Sequence, residues 1–175
     1  VSAFKKLPKN LQLMTVHSLQ SMAFNHALGA RIRKGVSITE PLEGDVVGLI
    51  GESGKINTGK LSIVTPETKP RITRNCLLGR LAVTGTLPGS EGTLPLGVVA
   101  EIESEVFERL ELSEIDWRVE AIPRLSTKGT RRTLAGSFSD FKVEEVSTID
   151  LGESNQRWAA GPSEDERWHP EGCCI

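Results

Sequence analysis

Apolar positions recur at helical spacing over residues 10–34: Leu11, Met14, Leu19, Met22, Ala23, Ala27 and Ala30. Pro8 and Asn10 give a start signal, with Asn10 as the N-cap. Arg31, Arg33 and Lys34 suit the negative end of the helix dipole, and Gly35 fits the position just past it. A second stripe, Val98, Val99, Ile102, Val106 and Leu110, predicts a helix over 95–112. Pro95 sits near its first turn, and Glu101, Glu105, Glu108 and Glu111 crowd the other faces. Between them, "DVVGLI" (45–50) and "KLSIVT" (60–65) are short β-prone runs joined by a glycine-rich loop. "RLAVTGTL" (80–87) reads as a buried strand stopped by "PGSEG". "RITRNCLL" (71–78) fits a short helix or a loop. "DWRVEAI" (116–122) and "FKVEEVSTI" (141–149) read as strands around a basic loop, "STKGTRR" (126–132). From about residue 153 the chain turns polar, with Gly and Pro, and reads as an extension beyond a domain of residues 1–152. The predicted class is α+β: a mixed sheet, a basic N-terminal helix and an acidic helix near 95–112.

Composition narrows this picture. At 175 residues and 38% apolar the chain can bury a core, and at 25% charged it should be soluble. Its longest uncharged apolar runs fall far short of the ~20 residues of a membrane span, so no membrane partner is predicted. Three cysteines, two of them adjacent near the end, make no disulfide framework and point to an intracellular, reducing compartment, cytoplasm or mitochondrion. No metal is predicted: His169, Cys173 and Cys174 lack ligand spacing. The chain begins at Val1 rather than Met, which fits processing, trimming or a partial sequence.

The net charge of −2 conceals segregation. Residues 1–39, 68–90 and 121–139 carry Lys and Arg but no acid, whereas residues 91–120 carry nine carboxylates against two arginines. Such blocks can fold into one basic and one acidic face, and a basic face suits RNA phosphates. The candidate contacts are Arg31, Arg33, Lys34, Arg71, Arg74, Lys128, Arg131 and Arg132. The alternative for each is an ordinary solvated cation. The acid-free, Arg-bearing start also fits a mitochondrial transit peptide.

Gly54 to Lys60 spells G-x-x-x-x-G-K, the outline of a phosphate-binding loop. That chemistry needs Ser or Thr after the Lys for magnesium, and a helix whose first amides receive phosphate. Here Leu61 follows Lys60, and "LSIVTPETKP" is β-prone and ends in two prolines. The loop therefore reads as a hairpin turn. His17 and His26 are nine apart and do not share a helix face as metal ligands would.

"VHSLQSMAFNHALGARI" (16–32) resembles a helix of the TruD family of tRNA pseudouridine synthases. His17, Gln20, Ser21, Phe24 and Asn25 match, while Leu19 and Met22 replace tyrosines usual in the family. "LEGDVV" (42–47), "LAVTGTLPGSEGTLPLGVVAEIESEVFERLEL" (81–112) and "STKGTRRTL" (126–134) agree in order. The resemblance implies the mixed α/β TRUD insertion domain with its flanking helix, and argues against a transit peptide. It also implies contact with RNA (tRNA or rRNA), and chemistry without a cofactor that uses an Asp after Gly-Lys. No such dipeptide occurs: Asp45, Asp116, Asp140, Asp150 and Asp165 follow Gly, Ile, Ser, Ile and Glu. No catalytic residue is carried over, and the chain alone is expected to be inactive. His17, Gln20 and Asn25 are family-motif positions that could buttress a missing catalytic domain or another protein partner. Three roles remain open: an RNA-associated domain within a larger protein or complex, a subunit of a mitochondrial ribosomal particle, or part of a synthase whose catalytic half lies elsewhere.

Overall fold

The structure, a computed structural model, describes residues 2–51 and 54–136. Its order is α1 (Ser2–Lys5), α2 (Lys9–Arg33), β1 (Val46–Ile50), β2 (Ile56–Ile63), α3 (Lys69–Leu77), β3 (Leu81–Leu87), α4 (Gly97–Arg109), a single 3₁₀ turn (Pro123–Leu125) and β4 (Thr130–Thr133). The α+β class stands. The strands lie in the order β2-β1-β3-β4. A mixture of parallel and antiparallel pairs is the sequence expectation, but every described pair is antiparallel. The hairpin β1–β2 returns through α3 to place β3 on the far side of β1. The sheet curls enough to bring its edge strands β2 and β4 together. Val47, Val64, Ile72 and Val83 form a core between sheet and α3, flanked by Cys76, Leu81 and Leu134. Helix α2 packs on β3 and α4.

Strand β4 lies where the sequence suggests a basic loop, and residues 116–122 form no strand. The far side of β3 is taken by β4 instead. The predicted strand over 141–149, and the extension from 153, lie outside the described residues. The glycine-rich loop does join two strands. Pairing jumps from Gly48–Leu61 to Leu49–Asn57, leaving Thr58, Gly59 and Lys60 without partners on β1. Lys60 of the phosphate-loop outline thus sits exposed on an edge strand, not at a helix N-terminus.

The predicted face of α2 is partly reversed. Leu11, Met14 and Met22 are exposed, whereas Gln12, Gln20, Ala23, Phe24, Ala27 and Arg31 are buried. Apolar residues surround the helix, so periodicity alone could not choose the face. The N-cap is Pro8 rather than Asn10, with no side-chain cap.

Helices α2, α3 and α4 end alike. The amide two residues past the C-cap returns to the carbonyl three residues before it: Val36 to Arg31, Arg80 to Asn75, Leu112 to Phe107. This closure needs a left-handed residue between, supplied by Gly35 (φ 71°) and Gly79 (φ 66°). At the third helix end the position is Glu111, the one positive-φ residue other than glycine among the described residues (φ 56°). Relieving its Cβ crowding should stabilise the fold: Glu111→Gly is expected to raise the urea midpoint by ~1 kcal/mol equivalent, with an unchanged slope.

Candidate nucleic-acid interface

Two arginines proposed as phosphate contacts are interior groups. Arg31 follows Ala27 by one turn on the buried stripe of α2 and is 4% exposed. Its Nη1 and Nη2 donate to Asp45 Oδ1 and Oδ2 at 2.6 and 2.7 Å, and its Nε donates to the Ser37 carbonyl at 2.8 Å. Asp45 is fully buried and also accepts the Leu42 amide at 2.7 Å. This bidentate pair staples the C-terminal turn of α2 to the start of β1.

Arg131 is 3% exposed. Its Nε donates to Thr84 Oγ1 at 2.7 Å, and its Nη2 to the Thr84 carbonyl at 2.8 Å. Its Nη1 donates to Thr86 Oγ1 at 2.7 Å and to the Thr93 carbonyl at 2.8 Å. The hydroxyls pass the bonding on: Thr84 donates to the Val46 carbonyl at 2.6 Å, and Thr86 to Glu103 Oε2 at 2.6 Å. Glu103 Oε1 lies 3.6 Å from Arg131 Nη2. Burial lowers the Arg131 pKa; Glu103 and then Asp45 raise it, and Arg31 opposes them. A guanidinium keeps its proton regardless, so the interior holds charges paired by opposite charges. No buried side-chain polar atom among the described residues lacks a partner. Arg31 and Arg131 are therefore unavailable to a phosphate, a correction to the sequence expectation whose cause is burial.

Strand alternation turns the next residue outward. Arg132 is exposed, and its guanidinium carbon lies 4.0 Å from the centre of the Phe24 ring. Phe24 is itself buried against β3 at Gly85, where a Cβ would come within 2.9 Å of the ring. One turn before Phe24, Gln20 Nε2 donates to the Pro88 carbonyl at 2.8 Å and to Thr127 Oγ1 at 3.1 Å. Segments 87–91 and 126–130 meet backbone to backbone. Ser90 donates to the Thr127 carbonyl and Glu91 to the Lys128 carbonyl, both at 2.9 Å. A Cβ at Gly89 would lie 1.9 Å from the Gly129 nitrogen, so both positions demand glycine.

The remaining candidates are spread over several elements. Arg33, Lys34, Arg71, Arg74 and Lys128 are exposed. Lys34 reaches Glu105 at 2.7 Å and Lys128 reaches Glu91 at 3.2 Å, surface pairs that a phosphate can displace. Arg71 and Arg74 stand on α3. Of the motif positions, His17 and Asn25 are exposed on α2, and Gln20 reaches, at Thr127, the segment that carries Lys128 and Arg132. Thr127 and Glu103 were not singled out from sequence. Glu103 had a signal, a carboxylate inside the stripe of Val99, Ile102 and Val106; Thr127 had none, being 107 residues from its partner. Burial pushes the Cys76 thiol up, and the charge of Asp45 adds to this, so Cys76 is no ready nucleophile. No helix among the described residues is long and apolar enough to cross a membrane.

The comparisons with known proteins agree with one another. The family described as "tRNA pseudouridine synthase D (TruD)" matches residues 1–152. A relative from Methanosarcina acetivorans, described as a probable tRNA pseudouridine synthase D, is 41% identical over 130 residues, covering 74% of this chain and 30% of its own. One from Natronomonas pharaonis with the same description is 34% identical, covering 78% of this chain and 31% of its own. The crystal structure of a protein assigned as tRNA pseudouridine synthase D from Methanosarcina mazei superposes with a TM-score of 0.69 at 37% identity, over 74% of this chain and 30% of that one. The chain thus spans about a third of the length of these relatives. All are archaeal and lend no support to the mitochondrial ribosomal alternative.

The buried pairs make a stability prediction. Asp45→Asn or Arg31→Met alone should cost about 3–5 kcal/mol in urea unfolding, by stranding the partner charge. Arg31→Met with Asp45→Leu should cost less than either single change.

Proposed function

The chain belongs to the TruD family of tRNA pseudouridine synthases, and from that premise we propose that residues 1–136 grip the tRNA backbone for such an enzyme. The observation that supports this reading is the pair Arg131–Arg132. The first is consumed by the interior, and the second is held outward on Phe24, on the same segment as Lys128. A cation fixed in place loses less side-chain entropy on meeting a phosphate than a free one. Such contacts fix position and register without reading sequence.

The glycosidic-bond chemistry of the family, an Asp carboxylate attacking uridine before the base is rejoined through carbon, belongs on this reading to residues outside 1–136. Asp45 has no solvent exposure and both oxygens engaged. Asp116 is exposed and accepts the Arg118 amide at 2.8 Å. Asp140, Asp150 and Asp165 lie outside the described residues. The outer face of α2 supports a protein partner: Leu11, Met14, Met22 and Ile32 are 39–57% exposed at near-helical spacing. The remaining two-thirds of a TruD-length protein is the occupant we assign to that face.

With an unmodified tRNA transcript, Lys128→Glu and Arg132→Glu should each weaken binding about tenfold, because each replaces an attraction by a repulsion. No tRNA binding by the wild-type chain at low salt contradicts the reading. The chain alone should form no pseudouridine on that transcript; product above background would place the reacting carboxylate within it.

A further inference from the structure

The basic segment 126–132 is pinned at three points, two of them on one face of α2. Arg131 is fixed from below by Thr84, Thr86 and Thr93. Arg132 lies on Phe24, and Thr127 is bound by Gln20. Gln20 and Phe24 are i and i+4, stacked one above the other on the helix. They hold the two ends of a six-residue stretch that carries Lys128 between them.

Gln20 is well placed for more than packing. It is 7% exposed, yet its amide nitrogen reaches acceptors 68 and 107 residues away in sequence. The Pro88 carbonyl can only accept, which fixes the amide orientation. Thr127 Oγ1, the second acceptor, in turn takes the Gly129 amide at 3.2 Å. One side chain therefore ties α2 to both turns, 87–91 and 126–130, at the point where glycine backbones touch. The β3–β4 ladder reaches only to Leu87–Thr130. Beyond it, two backbone bonds and the Gln20 amide keep the turns together.

We propose that Gln20 is a positioning residue: it locks the 126–130 turn onto the 87–91 turn, so that Lys128 and Arg132 present one rigid cationic edge. The inference rests on the RNA reading above for its consequence, but the lock itself is independent of RNA. Without the lock, the 126–130 turn moves with its Lys128, and the pairing of Lys128 with Glu91 at 3.2 Å no longer holds the cation in one place. Affinity then falls through the cations, although Gln20 itself touches no phosphate.

The test uses the full chain and an unmodified tRNA transcript. Gln20→Met keeps the volume and removes the donor; Thr127→Val removes the acceptor from a half-buried turn and serves if Gln20→Met folds poorly. Amide exchange at Ser90 and Glu91 should accelerate about five- to tenfold in either variant, while exchange in β1 and β3 is unchanged. Unchanged exchange at the turns overturns the lock. tRNA affinity should fall about threefold or more, and the same substitution should have no further effect in a Lys128→Ala/Arg132→Ala background. An equal loss in both backgrounds overturns positioning, because Gln20 would then act without those cations. If the wild type binds no tRNA, the RNA reading fails, and the exchange result still decides the lock.

Discussion

A guanidinium cannot shed its proton inside a protein, so burying one obliges the surroundings to supply acceptors for its donors. Arg131 imposes that obligation on this fold. Its acceptors come from both hydroxyls of Thr84 and Thr86 and from two carbonyls, and the hydroxyls hand the bonding to β1 and to Glu103 of α4. Short β4 has few ladder bonds of its own, and this network fixes its register against β3. A register slip of one residue would exchange Arg131 and Arg132 between the two faces and carry Leu134 off the core face it packs against. The exposed cation on Phe24 is a consequence of the buried one beside it. Arg31 and Asp45 repeat the logic between α2 and β1, so each arginine beneath the surface ties a helix to the sheet.

Elements with a strong local signal were legible in the sequence. The two long helices, the first hairpin and β3 follow from spacing and turn residues, and Gly35 from its place after the last basic turn. The inner face of α2 was not, because Leu11 and Met14 look more like core than Gln12 and Gln20 do. Those glutamines are buried by partners far along the chain: Gln12 accepts from Arg124, and Gln20 donates to the two turns. β4 was missed because its two arginines read as loop; only the acceptors of β3 and α4 make Arg131 a core residue. At the interface, the basic segment and the motif residue Gln20 were legible separately, and their meeting was not. Charge blocks mark where cations are but not which are spent on the interior, so Arg31 and Arg131 were counted as surface groups.

Helix α2 has two working faces. One packs on β3 and α4 and carries Gln20, Phe24 and Arg31; the other leaves Leu11, Met14, Met22 and Ile32 in water. An exposed apolar stripe on a helix whose other face is already packed is a surface for a further partner. That agrees with a chain whose match covers about a third of the length of its relatives. The acidic helix α4 lies beside α2 and places Glu105 against Lys34. Its carboxylates repel a phosphate backbone, which leaves the edge at Lys128 and Arg132, and the cations of α3, as surfaces a nucleic acid can approach.

The central claim is that this chain meets RNA through phosphate contacts, made by cations held in place by the fold. The most direct measurement is the slope of log affinity for an unmodified tRNA transcript against log salt concentration. Each phosphate contact should contribute about −0.7 to −0.9 to that slope, and Arg132→Ala should make it shallower by about one such increment. A wild-type slope near zero, or one that Arg132→Ala leaves unchanged, contradicts the claim.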